Sequence, residues 1–142
     1  MQRKEKEMSD HVIICGYGIV GQKVADVLAE NSIKFIIIDS DKEKIDEAIN
    51  NGYTAILGDA TYSNVLKDAS IITAKVIAIV MDNDAKNLFT LLTARDLNKK
   101  IFIATRANED LLREKLIDAG ANYVIMPQKS ASKEVLKELG IS

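Results

Sequence analysis

The sequence predicts an α/β fold: a three-layer sandwich built on a six-stranded parallel sheet in the order 3-2-1-4-5-6, with helices on both faces and an extra helix at the C-terminus. Three observations predict it. Short apolar runs alternate with amphipathic stretches along the whole chain, the pattern of parallel strands joined by right-handed helical crossovers. The apolar runs are nearly continuous Val and Ile, as strands buried on both faces read. The first run feeds directly into a glycine-rich turn and a helix.

Taken in order, the first strand is His11–Cys15, and Val20, Val24, Val27 and Leu28 form the apolar stripe of the helix after it. Lys23, Asp26 and Glu30 fall on its other faces. The second strand is Lys34–Ile38, followed by a helix with Ile45, Ala48 and Ile49 inward, closed at Asn51-Gly52 by a left-handed cap. The third strand is Tyr53–Leu57. The stretch from Thr61 to Thr73 has a weaker pattern and receives one short helix. Lys75–Met81 is the fourth strand, with Ala85, Leu88, Leu91 and Leu92 as the stripe of the next helix. Ile101–Thr105 is the fifth, followed by Leu112, Leu116 and Ala119, with Gly120 as the stop. Asn122–Met126 is the sixth. The final segment, Ser130–Leu139, follows the sole proline, Pro127, and carries Ala131, Val135, Leu136 and Leu139 on one side. No strand follows to cover that side, so it is expected to pack on a partner. The organisation is a charged linker over residues 1–9, one α/β domain over 10–128 and a crossover-type helix over 129–142.

At 142 residues there is room for one domain, which excludes an enzyme with both a cofactor lobe and a full substrate lobe. The 19 basic and 21 acidic residues indicate no basic face, and the aromatic residues are scattered, so nucleic acid is not an expected partner. One cysteine, Cys15, precludes an intrachain disulfide, and one histidine, His11, precludes a two-histidine metal site; no metal site is expected. Cys15 reads as a small buried filler and His11 as a polar strand start. The longest apolar runs are about six residues, such as Val76 to Met81, against roughly 20 for a membrane span. The N-terminal residues from Met1 to Met8 mix both charges without an apolar core, so they are not a signal peptide, and the chain is expected in the cytosol.

Chemistry concentrates where strands end. Gly16-Tyr17-Gly18-Ile19-Val20-Gly21 is a G-x-G-x-x-G turn between the first strand and the first helix, the context that phosphate binding requires. Gly16 permits the tight turn, Gly18 lets phosphate oxygens approach bare backbone, and Gly21 lets helix and strand sit close. The helix N-terminus then offers free N–H groups and partial positive charge. Asp39 ends the second strand, 18 residues beyond Gly21, where a carboxylate accepts from ribose hydroxyls and repels a 2′-phosphate. It also stands where it can cap the helix beginning near Asp41. Gly58-Asp59-Ala60-Thr61 ends the third strand: it can lie beside an adenine, or Asp59 can cap the short helix. Asp82-Asn83-Asp84 ends the fourth, with Asn83 or Asp84 available as a cap and Asp82 able to face the ligand. Arg106 ends the fifth, either meeting a phosphate, pairing with Asp82 or Asp59, or standing in solvent.

The ordered set His11–Gly21, Ile38-Asp39-Ser40-Asp41, Gly58–Thr61, Asp82–Asp84 with Asn87-Leu88, and Ala119–Asn122 leading to Met126-Pro127 resembles the RCK/TrkA-N family over about residues 9–139. These are Rossmann-type domains that regulate potassium channels and Trk/Ktr potassium transporters from the cytoplasmic face of the membrane. The resemblance implies NAD(H) or an adenine nucleotide (ATP, ADP or AMP) against Gly16, Tyr17, Gly18, Ile19, Val20, Gly21, Asp39, Ser40, Lys44, Gly58, Asp59, Ala60, Thr61, Asp82, Asn83, Asn87 and Arg106. It implies a homodimer or a larger ring, attached to a channel pore or a transporter's membrane subunit. It also implies that the charged run Arg3-Lys4-Glu5-Lys6-Glu7 is a linker from a pore helix. Family members usually continue into a small C-terminal lobe, whereas this sequence ends at Ser142. Calcium-gated relatives carry two glutamates after the fifth strand, where this chain has Arg106 and Asn108, so a calcium site is not carried over. The residues themselves specify nucleotide binding and no catalytic step. The competing readings are a fragment of an NAD-dependent oxidoreductase and a stand-alone nucleotide sensor.

Overall fold

The computed structural model describes residues 8–140. The proposed linker run Arg3–Glu7 lies outside the described residues. Six parallel strands, β1 (Val12–Cys15), β2 (Phe35–Asp39), β3 (Ala55–Leu57), β4 (Val76–Ile79), β5 (Phe102–Arg106) and β6 (Tyr123–Ile125), form one sheet in the order β3-β2-β1-β4-β5-β6. The observed strands lie within one or two residues of the apolar runs that predict them. Their register is continuous: Ile14 pairs with Ile37 on one side and Ala78 on the other.

Strand residues alternate between two cores. Ile14, Ile37, Ala55 and Ala78 pack under α1 (Ile19–Glu30) and α2 (Lys42–Asn50). Ile13, Ile36, Ile77 and Ile103 pack under α3 (Ser63–Asp68), α4 (Asp84–Leu97) and α5 (Leu112–Asp118). The two layers of helix bury the sheet on both faces, which is why its strands lack the alternation of a half-exposed sheet. Gly52 and Gly120 adopt positive φ, +86° and +118°, after α2 and α5, where the sequence places left-handed stops.

Three details differ from the sequence reading. The stripe of α4 is met in part: Leu91 is buried and Leu88 packs against the core, whereas Ala85 and Leu92 are exposed and Asn87, Thr90 and Ala94 take the other buried positions. Val27 and Ile49, read as inward, are also exposed. His11 is not a polar strand start but is fully buried, with Nε2 donating to the Ala69 carbonyl at 2.8 Å. The last helix, α6 (Pro127–Glu138), begins at Pro127 itself, whose fixed φ and missing N–H suit a first helical position. No residue of α6 is buried.

Candidate functional site

The C-terminal ends of β1 to β5 open on one cleft of about 670 Å³, within the usual range for a small-molecule site. It lies where the strand order reverses, between β1 and β4. The floor is the glycine turn. Gly16 takes φ +105°, and a Cβ there would press on Met81 at 3.0–3.1 Å. A Cβ on Gly21 would overlap the Gly16 carbonyl oxygen, so only glycine lets α1 start this close to the turn. Gly18 has open space in front of it and is the N-cap of α1, with no side chain capping the helix. The helix therefore presents uncapped N–H groups to the cleft, the arrangement that binds phosphate.

Asp39 stands opposite on β2. Its Oδ2 accepts from the Tyr17 N–H and its Oδ1 from the Asp41 N–H, both at 2.8 Å. The carboxylate thus ties the glycine turn to the β2 end, while Asp41 caps α2 by accepting from the Glu43 N–H. Asp59 does not cap α3, whose N-cap is Tyr62. Instead Oδ1 accepts from both the N–H and the hydroxyl of Thr61, and those bonds hold its carboxyl below the ordinary carboxylate range. Asn83 caps α4 through the Lys86 N–H. Arg106 is mostly buried; it donates from Nε to Asn108 at 3.0 Å and from Nη2 to Asp82 at 3.4 Å. Burial also pushes the Cys15 thiol far up, which makes it an inert filler below the turn.

Of the residues that the sequence assigns to the site, Gly16, Gly18, Ile19, Val20, Asp39, Ser40, Lys44, Gly58, Asp59, Ala60, Asp82, Asn83 and Arg106 line the cleft. Tyr17, Gly21, Thr61 and Asn87 do not. The Tyr17 ring turns inward, and its hydroxyl accepts from Asn51. Gly21 lies behind the turn, and Thr61 is occupied with Asp59. Asn87 is fully buried and bonded to the backbone of Met81 and Arg106. The cleft also gains Ile38, Asp41, Val80, Met81, Lys86 and Pro127, which sequence reading missed. Lys86 follows from its place in the first turn of α4; Pro127 carries no local signal, because it arrives from the far end of the chain. Among the described residues no cluster of His, Cys, Asp and Glu forms a metal site.

Fold and cleft together define a Rossmann-type α/β domain with an open cleft at its switch point. Residues 12–127 match the TrkA-N domain, and the chain belongs to that family. Potassium channel protein 1 of Methanocaldococcus jannaschii is 37% identical over 139 residues, 96% of this chain and 42% of that protein. The Trk system potassium uptake protein TrkA homolog of Archaeoglobus fulgidus is 31% identical over 133 residues, 92% of this chain and 30% of that protein. The chain thus spans less than half the length of these relatives. Among solved structures, the TrkA-N domain of the Escherichia coli inner membrane protein ybaL superposes with a TM-score of 0.89 at 26% identity, over 94% of this chain and 99% of that one. The Kef C-terminal domain of Shewanella denitrificans, in its AMP-bound form, superposes with a TM-score of 0.78 at 26% identity, over 93% of this chain and 82% of that one. The GsuK channel bound to NAD shares the fold, with a TM-score of 0.77 at 23% identity, over 84% of this chain and 22% of that one. GsuK has also been solved bound to ADP.

Proposed function

We propose that this chain is a regulatory domain that binds NAD(H) or an adenine nucleotide and controls potassium movement through a membrane protein to which it is joined or bound. The observation that carries the nucleotide reading is the uncapped N-terminus of α1 above a glycine turn, with the Asp39 carboxylate across from it. Phosphates take the bare N–H groups, the ribose hydroxyls take Asp39, and the adenine lies towards Gly58–Ala60. The AMP-bound Kef domain supports the choice of ligand, and the potassium channel and potassium uptake relatives support the choice of transported ion.

Potassium enters through kinship, not through any residue of the cleft. Among the described residues no helix is long and apolar enough to cross a membrane, so the pore belongs to another segment or another chain. The domain works at the cytoplasmic face, as a dimer or larger ring. We read it as a sensor without catalysis. Its one histidine is buried beside Ala69 at the opposite end of β1 from the cleft, where it cannot serve as an acid or base for a bound ligand.

Titration calorimetry with NAD, NADH, ATP, ADP, AMP and NADP tests the reading. At least one of the first five is expected to bind with measurable heat, and to lose it in Gly18→Asp. Absence of binding by all of them would overturn the nucleotide assignment. Sustained oxidation of NADH with small carbonyl compounds would restore the oxidoreductase reading.

A further inference from the structure

We propose that Asn87 is the positioning residue of the cleft: from behind the ends of β4 and β5 it sets both the glycine turn and Arg106, and with them the phosphate half of the site. The ligand in this statement rests on the nucleotide reading above; the clasp itself rests on geometry. Asn87 lies in the first turn of α4, fully buried and outside the cleft. Its Oδ1 accepts from the Met81 N–H at 3.1 Å, and its Nδ2 donates to the carbonyls of Met81 at 2.8 Å and Arg106 at 3.2 Å. The β4–β5 ladder ends at the pair Ile79 and Thr105, so these backbone groups lie just beyond the last strand pairing. A side-chain amide satisfies all three at once, because it offers one acceptor and two donors. Aspartate would set a carboxylate against two carbonyl oxygens, and leucine would leave three backbone groups unbonded.

Met81 carries the effect to the glycine turn. Its N, Cα and Cγ fill the space where a Cβ of Gly16 would go, at 3.0–3.1 Å, so the two residues pack backbone on backbone. A shift of a few tenths of an ångström at Met81 displaces Gly16, since close-packed interiors transmit small displacements. Arg106 carries the effect to the cleft wall: Asn87 holds its carbonyl while its guanidinium faces Asp82. Asp39 and Asp59, on β2 and after β3, make no hydrogen bond to Asn87. The adenosine half therefore depends on Asn87 only through the Tyr17 N–H that Asp39 accepts.

The test compares ADP with adenosine, by calorimetry, on the unaltered chain, on Asn87→Leu and on Ile103→Val, a small core cavity in β5 that leaves the clasp in place. Asn87→Leu is expected to weaken ADP binding tenfold or more and adenosine binding less than twofold, and Ile103→Val to leave both within twofold. Equal loss of both ligands in Asn87→Leu, or loss of neither, overturns the proposal. If Asn87→Leu does not fold, Asn87→Ser is measured with the same criteria. If the unaltered chain binds neither compound, the clasp is judged by amide hydrogen exchange instead, and the nucleotide reading stands or falls by the wider calorimetric panel above. The Met81 and Gly16 N–H groups should then exchange at least tenfold faster in the Asn87 variant than in Ile103→Val, and equal rates overturn it.

Discussion

Asp39 shows how one residue serves both fold and site. Both of its oxygens already accept a backbone N–H, yet an ionised carboxylate has about four acceptor positions, so two remain for ribose hydroxyls. Asp39→Ala is expected to weaken NAD binding by about 1.5–3 kcal/mol, the range for hydrogen bonds to a charged group. In the unaltered chain NADP should bind worse than NAD, and calorimetry giving equal affinities would refute the ribose role. His11 makes a different prediction. With Nε2 donating to Ala69, its Nδ1 is buried without a partner, and burial lowers its pKa from the ordinary 6.5, against the opposing pull of the Ala69 carbonyl. The folded state thus favours neutral imidazole. Its contribution to stability is complete above the unfolded pKa and is lost as pH falls below 6.5 through the lowered folded value. Thermal unfolding at about pH 7.5 and about pH 5.5 should show a larger drop for the unaltered chain than for His11→Gln. Equal drops would mean that His11 titrates alike in both states. Gly16, Gly18, Gly21 and Asp39 were legible as site candidates because spacing along one βα unit dictates their places. The inward turn of Tyr17 and the bond of Asp59 to Thr61 were not, because each depends on partners that spacing does not specify.

At the scale of the element, the strands were legible because burial on both faces leaves an unbroken apolar run. Helix phase was less so. On α4 the buried face carries Asn87 and Thr90 beside Leu91 and Ala94, while Leu92 and Phe89 face out, so hydrophobicity alone marks only part of that face. Asn87 is buried because Met81 and Arg106 supply its partners, and those contacts are invisible along the helix sequence. Arg95 is the same case at the other end of α4. Its guanidinium donates to the carbonyls of Gly120 and Ile101 and to Asn122 Oδ1, joining the α4 end to the turn before β6. The two glycine stops therefore differ in consequence. Gly52, at φ +86°, has open space where a Cβ would go, so Gly52→Ala meets conformational strain alone, about 1–2 kcal/mol. Gly120, at φ +118°, would place its Cβ 3.1 Å from Cγ and Nε of Arg95. Gly120→Ala should cost at least about 1 kcal/mol more, as the arginine is pushed off the carbonyl it bonds. Chemical denaturation of the two variants measures the difference, and equal costs would remove Arg95 from the account.

At the scale of the whole molecule, α6 is the element its own domain does not use. Val135 and Leu136 are 58% and 46% exposed on a helix with no buried residue, and Leu139, its C-cap, is 67% exposed. The sequence reading that this side faces a partner remains a proposal, and a second copy of the chain is the simplest occupant, since a two-fold dimer closes on itself. The base of the helix gives such a dimer a route to the ligand. Pro127, its first residue, lines the cleft at the strand ends and also a neighbouring hollow of about 310 Å³ bounded by Asn108, Asp110 and Lys129. Asn108 in turn accepts from Arg106 and donates its N–H to Asp84, so the β5–α5 turn touches both the cleft wall and the start of α6. A nucleotide moves the dimer only if it binds one arrangement of these parts better than another, and a coupling of about 1–3 kcal/mol is ordinary for such a switch. Two measurements follow. Sedimentation should give a dimer or larger species that Leu136→Asp or Leu139→Asp weakens, because either places a charge in the apolar contact. Distances between labels on paired copies should change on addition of NAD(H), ATP or ADP. A monomer at high micromolar concentration, indifferent to both substitutions, refutes the interface. A dimer whose distances ignore every adenine nucleotide keeps the binding site and removes the switch.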